Sequence, residues 1–341
     1  KQWIFSDLGI ICAGGVSNGV YPTDASNQVE YLIRDSGTRF YFAEDEEQLD
    51  KVLEVREQTP SLQKVIIFDM EGLRNFDDEQ CISLVELMEI GRDYFAQHPN
   101  AWSNESAAAS PDDLMILTYT SGTTGRPKGV VYHHRGAYLM TLGTVISWRM
   151  VLNPVFLAIV PLFHCNGWNH TWMMPVLSGT VGCCRDISAK AIYDAIADKG
   201  VTHFGGAPIV LNLIVNAKAE DRRTFDHQVE VFTAGAPPAP ATLASIETLG
   251  FNVTQVYGLT ETYGHITECL WNETWDALPQ AEKAIIKAHQ GVAMPMMEDV
   301  TVLDENMQQV PMDGTCRVYT SDAADYLSRI ELGGRHVIHK T

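Results

Sequence analysis

The sequence predicts an α/β protein in which sheets are covered by helices. Short apolar runs, typical of buried strands, alternate along the chain with segments whose apolar residues recur at helical spacing. The chain has 341 residues, of which 45% are hydrophobic and 20% charged. A chain of this size and composition can enclose a substantial core.

Nine apolar runs are predicted strands: residues 39–43, 64–68, 115–119, 156–161, 181–184, 201–204, 229–233, 253–257 and 300–303. Helical spacing predicts two of the intervening helices, around Val29, Leu32 and Ile33 and around Ile192, Ala195 and Ile196. Ser188 is a predicted N-cap, and Pro208 fits the first turn of a helix over 209–217. The acidic run 44–47 is predicted to begin a helix. Residues 97–111 are small and polar, which predicts a loop.

The charge balance excludes some classes of partner. There are 43 acidic and 24 basic residues, a formal net charge of −19, which disfavours binding to nucleic acids and anionic membranes. The most membrane-like segment, 141–163, contains Arg149, Asn153 and Pro154, so we expect no membrane span. Seven cysteines without a CxxC pair indicate reduced thiols and a cytoplasmic protein. The sequence leaves the oligomeric state open.

The most informative motif is residues 119–129, YTSGTTGRPKG, which directly follows a predicted strand. It contains three glycines, one serine, three threonines and one lysine. Glycines allow backbone N–H groups to approach phosphate oxygens closely, while hydroxyls and a lysine add donors and positive charge. A flexible surface linker is the alternative interpretation, but a linker does not require a lysine fixed after Pro127. The motif therefore indicates a phosphate-binding loop.

This loop differs from a standard P-loop, in which Gly-Lys is followed by Ser or Thr. None of the 26 glycines in the chain precedes a lysine. The motif instead closely resembles the signature loop of the adenylate-forming superfamily, which includes acyl-CoA synthetases, luciferases and peptide-synthetase adenylation domains. The resemblance implies the large N-terminal domain of that fold, incomplete at both ends. Its phosphate-binding residues would be Thr120, Ser121, Gly122, Thr123, Thr124, Gly125 and Lys128.

Two later motifs occur in the order that the resemblance implies. Residues 234–238, AGAPP, match the segment whose backbone lines the adenine, which assigns Gly235, Ala236 and Pro237 to the nucleotide site. Residues 257–262, YGLTET, match the next signature. By resemblance, Tyr257 and Gly258 would contact adenine, Thr260 would bind the α-phosphate and Glu261 would bind Mg²⁺, which prefers oxygen ligands.

A third match, residues 161–168 (PLFHCNGW), borders the acyl pocket in the resembling family. It would place Phe163, His164 and Trp168 around the carboxylate, with Gly205 and Gly206 at the pocket floor. The alternative for His164 is a buried structural histidine beside aromatic neighbours. His133, His134, Cys165 and His170 do not have the spacing of a structural zinc site.

The resemblance implies an acid–thiol ligase. A carboxylate attacks the α-phosphorus of ATP and pyrophosphate leaves; the thiol of coenzyme A then displaces AMP from the acyl-adenylate. Charge develops on phosphoryl oxygens, which Lys128, a metal ion and aligned N–H groups would stabilise. His164, Lys128 and Glu261 are therefore the predicted catalytic residues. ATP, Mg²⁺, coenzyme A and a small carboxylic acid are the predicted ligands.

The family pattern extends over residues 1–314 and stops there. No glycine precedes an aspartate or a lysine, so the family's TGD motif and the SGK-type lysine of its small C-terminal domain are absent from the sequence. Residues 315–341 resemble nothing in the family, which predicts a disordered or artefactual tail. These absences predict a chain that does not turn over by itself.

Two further functions remain open at this stage. The chain could load a carrier-protein thiol instead of coenzyme A, or it could bind nucleotide without turnover. The resemblance also changes along the chain: up to residue 117 it is to long-chain fatty-acyl-CoA synthetases, and from residue 132 to methylmercaptopropionyl-CoA and medium-chain acyl-CoA ligases. The bulky Trp168 favours small or medium acids.

Overall fold

The computed structural model describes residues 1–120, 127–297, 300–301 and 309, with only the backbone for Cys165, Asn166 and Trp168. The chain divides into two compact units. The first contains residues 1–120 and 127–134, and the second contains the described residues from 135 onward.

The first unit contains five helices and six strands among its described residues. In chain order they are α1 Gln2–Cys12, β1 Ser17–Gly19, α2 Ser26–Ser36, β2 Phe40–Ala43, α3 Glu46–Glu54, β3 Lys64–Ile67, β4 Cys81–Ser83, α4 Leu84–Gln97, α5 Ala101–Ala108, β5 Leu114–Thr120 and β6 Lys128–His133. The strands form two three-stranded sheets, in the orders β1-β5-β6 and β2-β3-β4.

Helices α2 and α3 pack on the sheet β2-β3-β4. Val29 and Ile33 of α2, with Leu49 and Val52 of α3, are almost fully buried against strand residues such as Val65. Helix α3 begins after Asp45, whose carboxylate accepts a hydrogen bond from Gln48 N–H at 3.1 Å. The predicted helix at Val29 and the helix start within the acidic run 44–47 are therefore confirmed.

The second unit is built around one larger sheet. Its elements are α6 His134–Ser147, β7 Val155–Ala158, α7 Cys165–Leu177, β8 Thr180–Cys183, α8 Ala189–Lys199, β9 His203–Gly205, α9 Pro208–Val215, β10 Val229–Thr233, α10 Pro240–Glu247, β11 Phe251–Leu259, β12 Gly264–Glu268, α11 Gln280–Lys287 and β13 Val292–Ala293. The strand order is β13-β12-β11-β10-β9-β7-β8.

Strands β8, β7, β9, β10 and β11 pair in parallel, and β12 and β13 add an antiparallel edge. Helices α8, α9, α10 and α11 contribute buried side chains to a core with β9, β10 and β11. Ser188 caps α8 by accepting a hydrogen bond from Ala191 N–H at 3.3 Å, and Pro208 occupies the first turn of α9, both as predicted. The α/β class with sheets covered by helices is confirmed.

Some predicted elements differ from the structure. The predicted loop 97–111 contains α5, because AWSNESAA supplies three alanines, the best helix formers, and its polar residues tolerate the exposed surface. Strands β6 and β12 were not predicted. Half of the predicted strand 300–303 and all of the predicted tail 315–341 lie outside the described residues; residues 300 and 301 are not in a strand. Among those described, no helix combines the length and apolar character needed to cross a bilayer.

The core of the second unit should be sensitive to loss of an aromatic ring. Phe251 is 1% exposed and contacts the rings of Phe204 and Phe225. We predict that Phe251→Ala lowers the free energy of unfolding by about 3–5 kcal/mol, because the substitution leaves a cavity. Ile209→Ala, at a side chain that is 70% exposed, should change it by less than about 0.5 kcal/mol. Urea unfolding of both variants tests this, and equal effects would contradict the core assignment.

Candidate functional site

Four of the predicted motifs follow the carboxyl ends of adjacent parallel strands in the second unit. Residues 161–164 follow β7, Gly205 ends β9 and Gly206 follows it, residues 234–238 follow β10, and residues 257–262 begin in the last residues of β11. Because parallel strands run in one direction, their carboxyl ends lie at the same edge of the sheet. The motifs are therefore brought together along that edge.

The strand order also contains a switch point between β7 and β9. Strand β8 lies on one side of β7, and the chain then returns to place β9 on its other side. In open parallel sheets, ligands bind in the crevice outside the carboxyl ends at such a point. The segments that border this crevice are 161–164 after β7 and Gly205–Gly206 at β9. The topology rule therefore points to the same segments that the resemblance predicts, and their role as a ligand site stays a prediction.

Gly205 and Gly206 lack space for side chains. A Cβ on Gly205 would lie 3.2 Å from Cε1 of His170, and one on Gly206 would lie 3.1 Å from the Val210 Cβ. Gly206 N–H also donates a hydrogen bond of 2.9 Å to the Phe232 carbonyl. Both glycines thus allow the end of β9 to approach its neighbours closely.

His164 is fixed by the turn between β7 and α7. Its N–H donates to the Pro161 carbonyl at 3.0 Å, and its own carbonyl accepts from Gly167 N–H at 2.7 Å. A Cβ on Gly167 would lie 2.1 Å from the Pro161 carbonyl oxygen, so only glycine fits there. Burial lowers the pKa of His164, which favours the neutral imidazole at pH 7. Phe163 is half-buried beside it, and Trp168 lies in α7, its side chain outside the described residues.

The YGLTET motif forms a sharp turn between β11 and β12. The pairing register shifts at Tyr257 and Gly258, and a Cβ on Gly258 would lie 1.9 Å from the Gly264 carbonyl oxygen. Tyr257, Thr260 and Glu261 are half-buried. Burial first, and then the charge of Glu261, raises the pKa of the Tyr257 phenol. The phenol and the carboxylate are therefore close enough to interact electrostatically.

The AGAPP segment is the most open part of this edge. Gly235, Ala236 and Pro237 are exposed, and Gly235 has φ +89°, in the region that favours glycine. An exposed turn directly after the buried Thr233 leaves backbone groups accessible to a flat ligand.

The remaining predicted nucleotide residues belong to the first unit or lie outside the described residues. Thr120 and Lys128 are direct partners across the antiparallel pair β5–β6. Their side chains therefore lie on one face of the hairpin. Ser121, Gly122, Thr123, Thr124 and Gly125 fall outside the described residues.

An aromatic wall behind Gly205 was not anticipated from the sequence. It is defined here as Trp148, Phe156, His170 and Phe232. Trp148 stacks on Phe232 at 3.8 Å between ring centroids, and His170 lies 5.5 Å from Trp148 and 5.1 Å from Phe156. All four side chains are buried. His170 brings this cluster of rings next to Gly205.

Two further buried histidines lie next to this wall. His203 packs edge-on against Trp148 at 5.1 Å, and His265 packs against Phe232 at 5.2 Å. Burial lowers the pKa of each to about 4. Within residues 1–120 and 127–297, no three histidine, cysteine or carboxylate side chains are grouped to bind a metal ion.

The fold and these motifs define a nucleotide-binding α/β domain of the adenylate-forming type. The sequence matches the family of AMP-binding enzymes over residues 1–322, and the chain belongs to this family.

Several relatives show how far this similarity extends. The chain is 50% identical over 202 residues to a peroxisomal acetate/butyrate–CoA ligase of Arabidopsis thaliana, covering 59% of the chain and 36% of the relative. It is 34% identical over 316 residues to a peroxisomal trans-cinnamate–CoA ligase of Petunia hybrida, covering 89% of the chain and 54% of the relative. The chain therefore spans about a third to a half of these relatives.

Solved structures confirm the fold. The N-terminal domain of FACL13 from Mycobacterium tuberculosis has a TM-score of 0.65 at 20% identity, covering 89% of this chain and 69% of that one. A long-chain fatty-acid–CoA ligase from Archaeoglobus fulgidus has a TM-score of 0.69 at 18% identity, covering 91% of this chain and 58% of that one. The predicted large domain of the adenylate-forming fold is thus confirmed.

The buried histidines should make stability depend on pH. An unfolded histidine gains a proton near pH 6.5, whereas His203 and His265 stay neutral in the folded chain until about pH 4. The free energy of unfolding should therefore fall as the pH decreases from 6.5 to 4, by at most about 3 kcal/mol per histidine. In His203→Gln this decrease should be smaller; in His98→Gln, at an exposed position, it should equal that of the wild type. Urea unfolding at pH 7.5, 6, 5 and 4 measures it. An unchanged decrease in His203→Gln would contradict the prediction.

Proposed function

We propose that this chain is the part of an acyl-CoA synthetase that binds ATP and a short carboxylic acid for the adenylating step. The main observation behind this proposal is that the predicted acyl-pocket and adenine motifs lie side by side at the carboxyl edge of β7, β9, β10 and β11. Family membership and CoA-ligase relatives support the same reaction.

In this proposal the second unit binds the adenosine and the acid. Tyr257 and the exposed backbone at 235–237 would contact the adenine, and Thr260 would donate its hydroxyl to the α-phosphate. Burial keeps His164 neutral, so it would donate a hydrogen bond to the reacting carboxylate. A neutral donor would not form an ion pair, which would make the carboxylate a weaker nucleophile. The turn that fixes His164 between Pro161 and Gly167 would orient that hydrogen bond.

The reaction would proceed in two displacements. A carboxylate oxygen forms a bond to the α-phosphorus while the bond from that phosphorus to the bridging oxygen of pyrophosphate breaks. A thiolate then attacks the carbonyl carbon and AMP leaves. Lys128 and Thr120 would stabilise the charge on the phosphate oxygens. Mg²⁺, when bound through Glu261, would neutralise phosphate charge. Coenzyme A is the proposed thiol; a carrier-protein thiol and nucleotide binding without turnover are the alternatives.

The aromatic wall supports short acids as substrates. The ring of His170 lies next to Gly205 and packs against the rings of Trp148 and Phe156, so a long alkyl chain would meet buried rings on this side of Gly205. The relatives of higher identity include ligases named for acetate, butyrate and 2-methylpropanoate. We propose a cytoplasmic location for this chain from its thiols, although the acetate/butyrate relative is named as peroxisomal.

The metal role of Glu261 can be tested by binding. We predict that Glu261→Gln weakens binding of MgATP by about tenfold or more, because a charged oxygen ligand is lost, and leaves binding of ATP in EDTA unchanged. Lys128→Ala should weaken both, since it removes a positive charge from the phosphates. Isothermal titration of the chain measures this, with Glu273→Gln, an exposed acid, as the matched control. An equal loss of affinity for MgATP and for ATP in EDTA in Glu261→Gln would refute the metal role.

The adenylation itself can be tested by ATP–pyrophosphate exchange with acetate, butyrate and palmitate, in an enzyme that completes this chain with the family's small C-terminal domain. Exchange that is greatest with the short acids supports the proposal. MgATP binding without exchange for any acid would favour the nucleotide-binding alternative, and greatest exchange with palmitate would refute the short-acid assignment. Transfer to a carrier-protein thiol but not to coenzyme A would favour the other alternative.

Removing one ring of the aromatic wall should change which acid the enzyme prefers. His170→Ala removes the ring that lies 3.2 Å from a Cβ position on Gly205. We therefore expect the ratio of the ATP–pyrophosphate exchange rate with hexanoate to that with butyrate to rise about tenfold. His170→Phe retains a ring and should leave the ratio near that of the wild type. Exchange rates with both acids measure it. A preference for butyrate as strong in His170→Ala as in the wild type would show that the wall does not limit the acid.

A further inference from the structure

The first unit attaches the β5–β6 hairpin to helix α2 by two side chains that no predicted function accounts for. Tyr31 and Asp35 are four residues apart, so they lie on one face of α2. Val29, Leu32 and Ile33 occupy the opposite, buried face. The helix therefore packs on its own sheet with one side and contacts the hairpin with the other.

Asp35 holds the strand that enters the signature loop. The Tyr119 hydroxyl donates a hydrogen bond of 2.7 Å to the Asp35 carboxylate, and the Tyr119 ring is 5% exposed. The ring also packs edge-on against Tyr31, with 6.4 Å between centroids. Gly129, its partner across the hairpin, makes room for this ring, since a Cβ there would lie 3.2 Å from it.

Tyr31 holds the strand that leaves the loop. Its hydroxyl donates a hydrogen bond of 2.9 Å to the Pro127 carbonyl. Pro127 immediately precedes Lys128, just as Tyr119 immediately precedes Thr120. One turn of α2 is thus bonded to both strands, each time one residue away from a predicted phosphate ligand.

We propose that Tyr31 and Asp35 are positioning residues for phosphate binding. They fix the ends of β5 and β6 so that the side chains of Thr120 and Lys128 lie together on one face of the hairpin, where they would bind phosphate. This inference rests on the proposed function, because it assigns a purpose to the placement of those two residues. It predicts that losing either contact weakens the binding of phosphates and leaves the binding of the nucleoside unchanged.

The test compares Tyr31→Phe and Asp35→Ala with the wild-type chain, using MgATP and adenosine as separate probes in isothermal titration. Each variant should bind MgATP about tenfold more weakly, because the loss of one hydrogen bond changes a free energy by about that much. Adenosine affinity should not change. Asp35→Asn keeps an acceptor oxygen for Tyr119 and should restore most of the MgATP affinity.

Thermal melting separates positioning from stability. Alanine is a better helix former than aspartate, and an acid in the last turn of a helix opposes the helix dipole. The melting temperature of Asp35→Ala should therefore not fall by more than a few degrees. Arg34→Ala, which removes the exposed Arg34–Glu30 ion pair on the same helix, is the matched control and should bind MgATP like the wild type.

Each outcome decides the inference. Selective loss of MgATP affinity with rescue by Asp35→Asn supports it. Wild-type MgATP affinity in Tyr31→Phe and Asp35→Ala overturns it, as does an equal loss of ATP and adenosine together with a lower melting temperature, which would show a structural role only. A wild-type chain that does not bind MgATP at all would refute the proposed function, and this inference with it.

Discussion

The second unit depends on one constraint, the common direction of its parallel strands. Strands β7, β9, β10 and β11 are neighbours in the sheet, and each ends at the same edge. Motifs that lie between residues 161 and 262 in the chain are therefore neighbours in space. A reversal of any one of these strands would carry its motif to the opposite edge. Helices α8, α9 and α10 connect successive strands of this sheet and pack on them in a core that includes Leu157 and Phe251. Such crossover connections keep the strands parallel.

The sequence predicted strands well where they are apolar and poorly where they are not. The runs at 64–68, 229–233 and 253–257 coincide with β3, β10 and β11, since a buried parallel strand needs apolar residues on both faces. Strand β12, GHITE, was missed because its buried positions include His265, Thr267 and Glu268. Strand β6 was missed because it begins inside the Gly- and Lys-containing motif. In both cases local composition indicated a loop, and pairing with β11 or β5 determined a strand.

The candidate site was predicted in its positions and not in its contacts. The motifs located His164, Gly205 and Tyr257 because each lies next to a recognisable strand. The aromatic wall could not be predicted, since Trp148, His170 and Phe232 come from after α6, from α7 and from β10, and only tertiary packing brings them together. Likewise, the sequence identified Gly258 as part of a motif, but its close approach to Gly264 is a property of the β11–β12 register.

The turn after Glu261 is held by the Thr262 hydroxyl together with a hydrogen bond of 3.2 Å from Tyr263 N–H to the Thr260 carbonyl. Thr262 Oγ1 accepts a hydrogen bond from Leu259 N–H at 2.9 Å and donates to the Gly264 carbonyl at 2.8 Å, and the side chain is fully buried. The backbone that presents Thr260 and Glu261 is thus already in one conformation before any ligand arrives. Its conformational entropy is lost when the chain folds, so a ligand bound to this turn, such as the nucleotide we propose, would not have to order it. The affinity for that ligand would then not be reduced by an ordering of this turn.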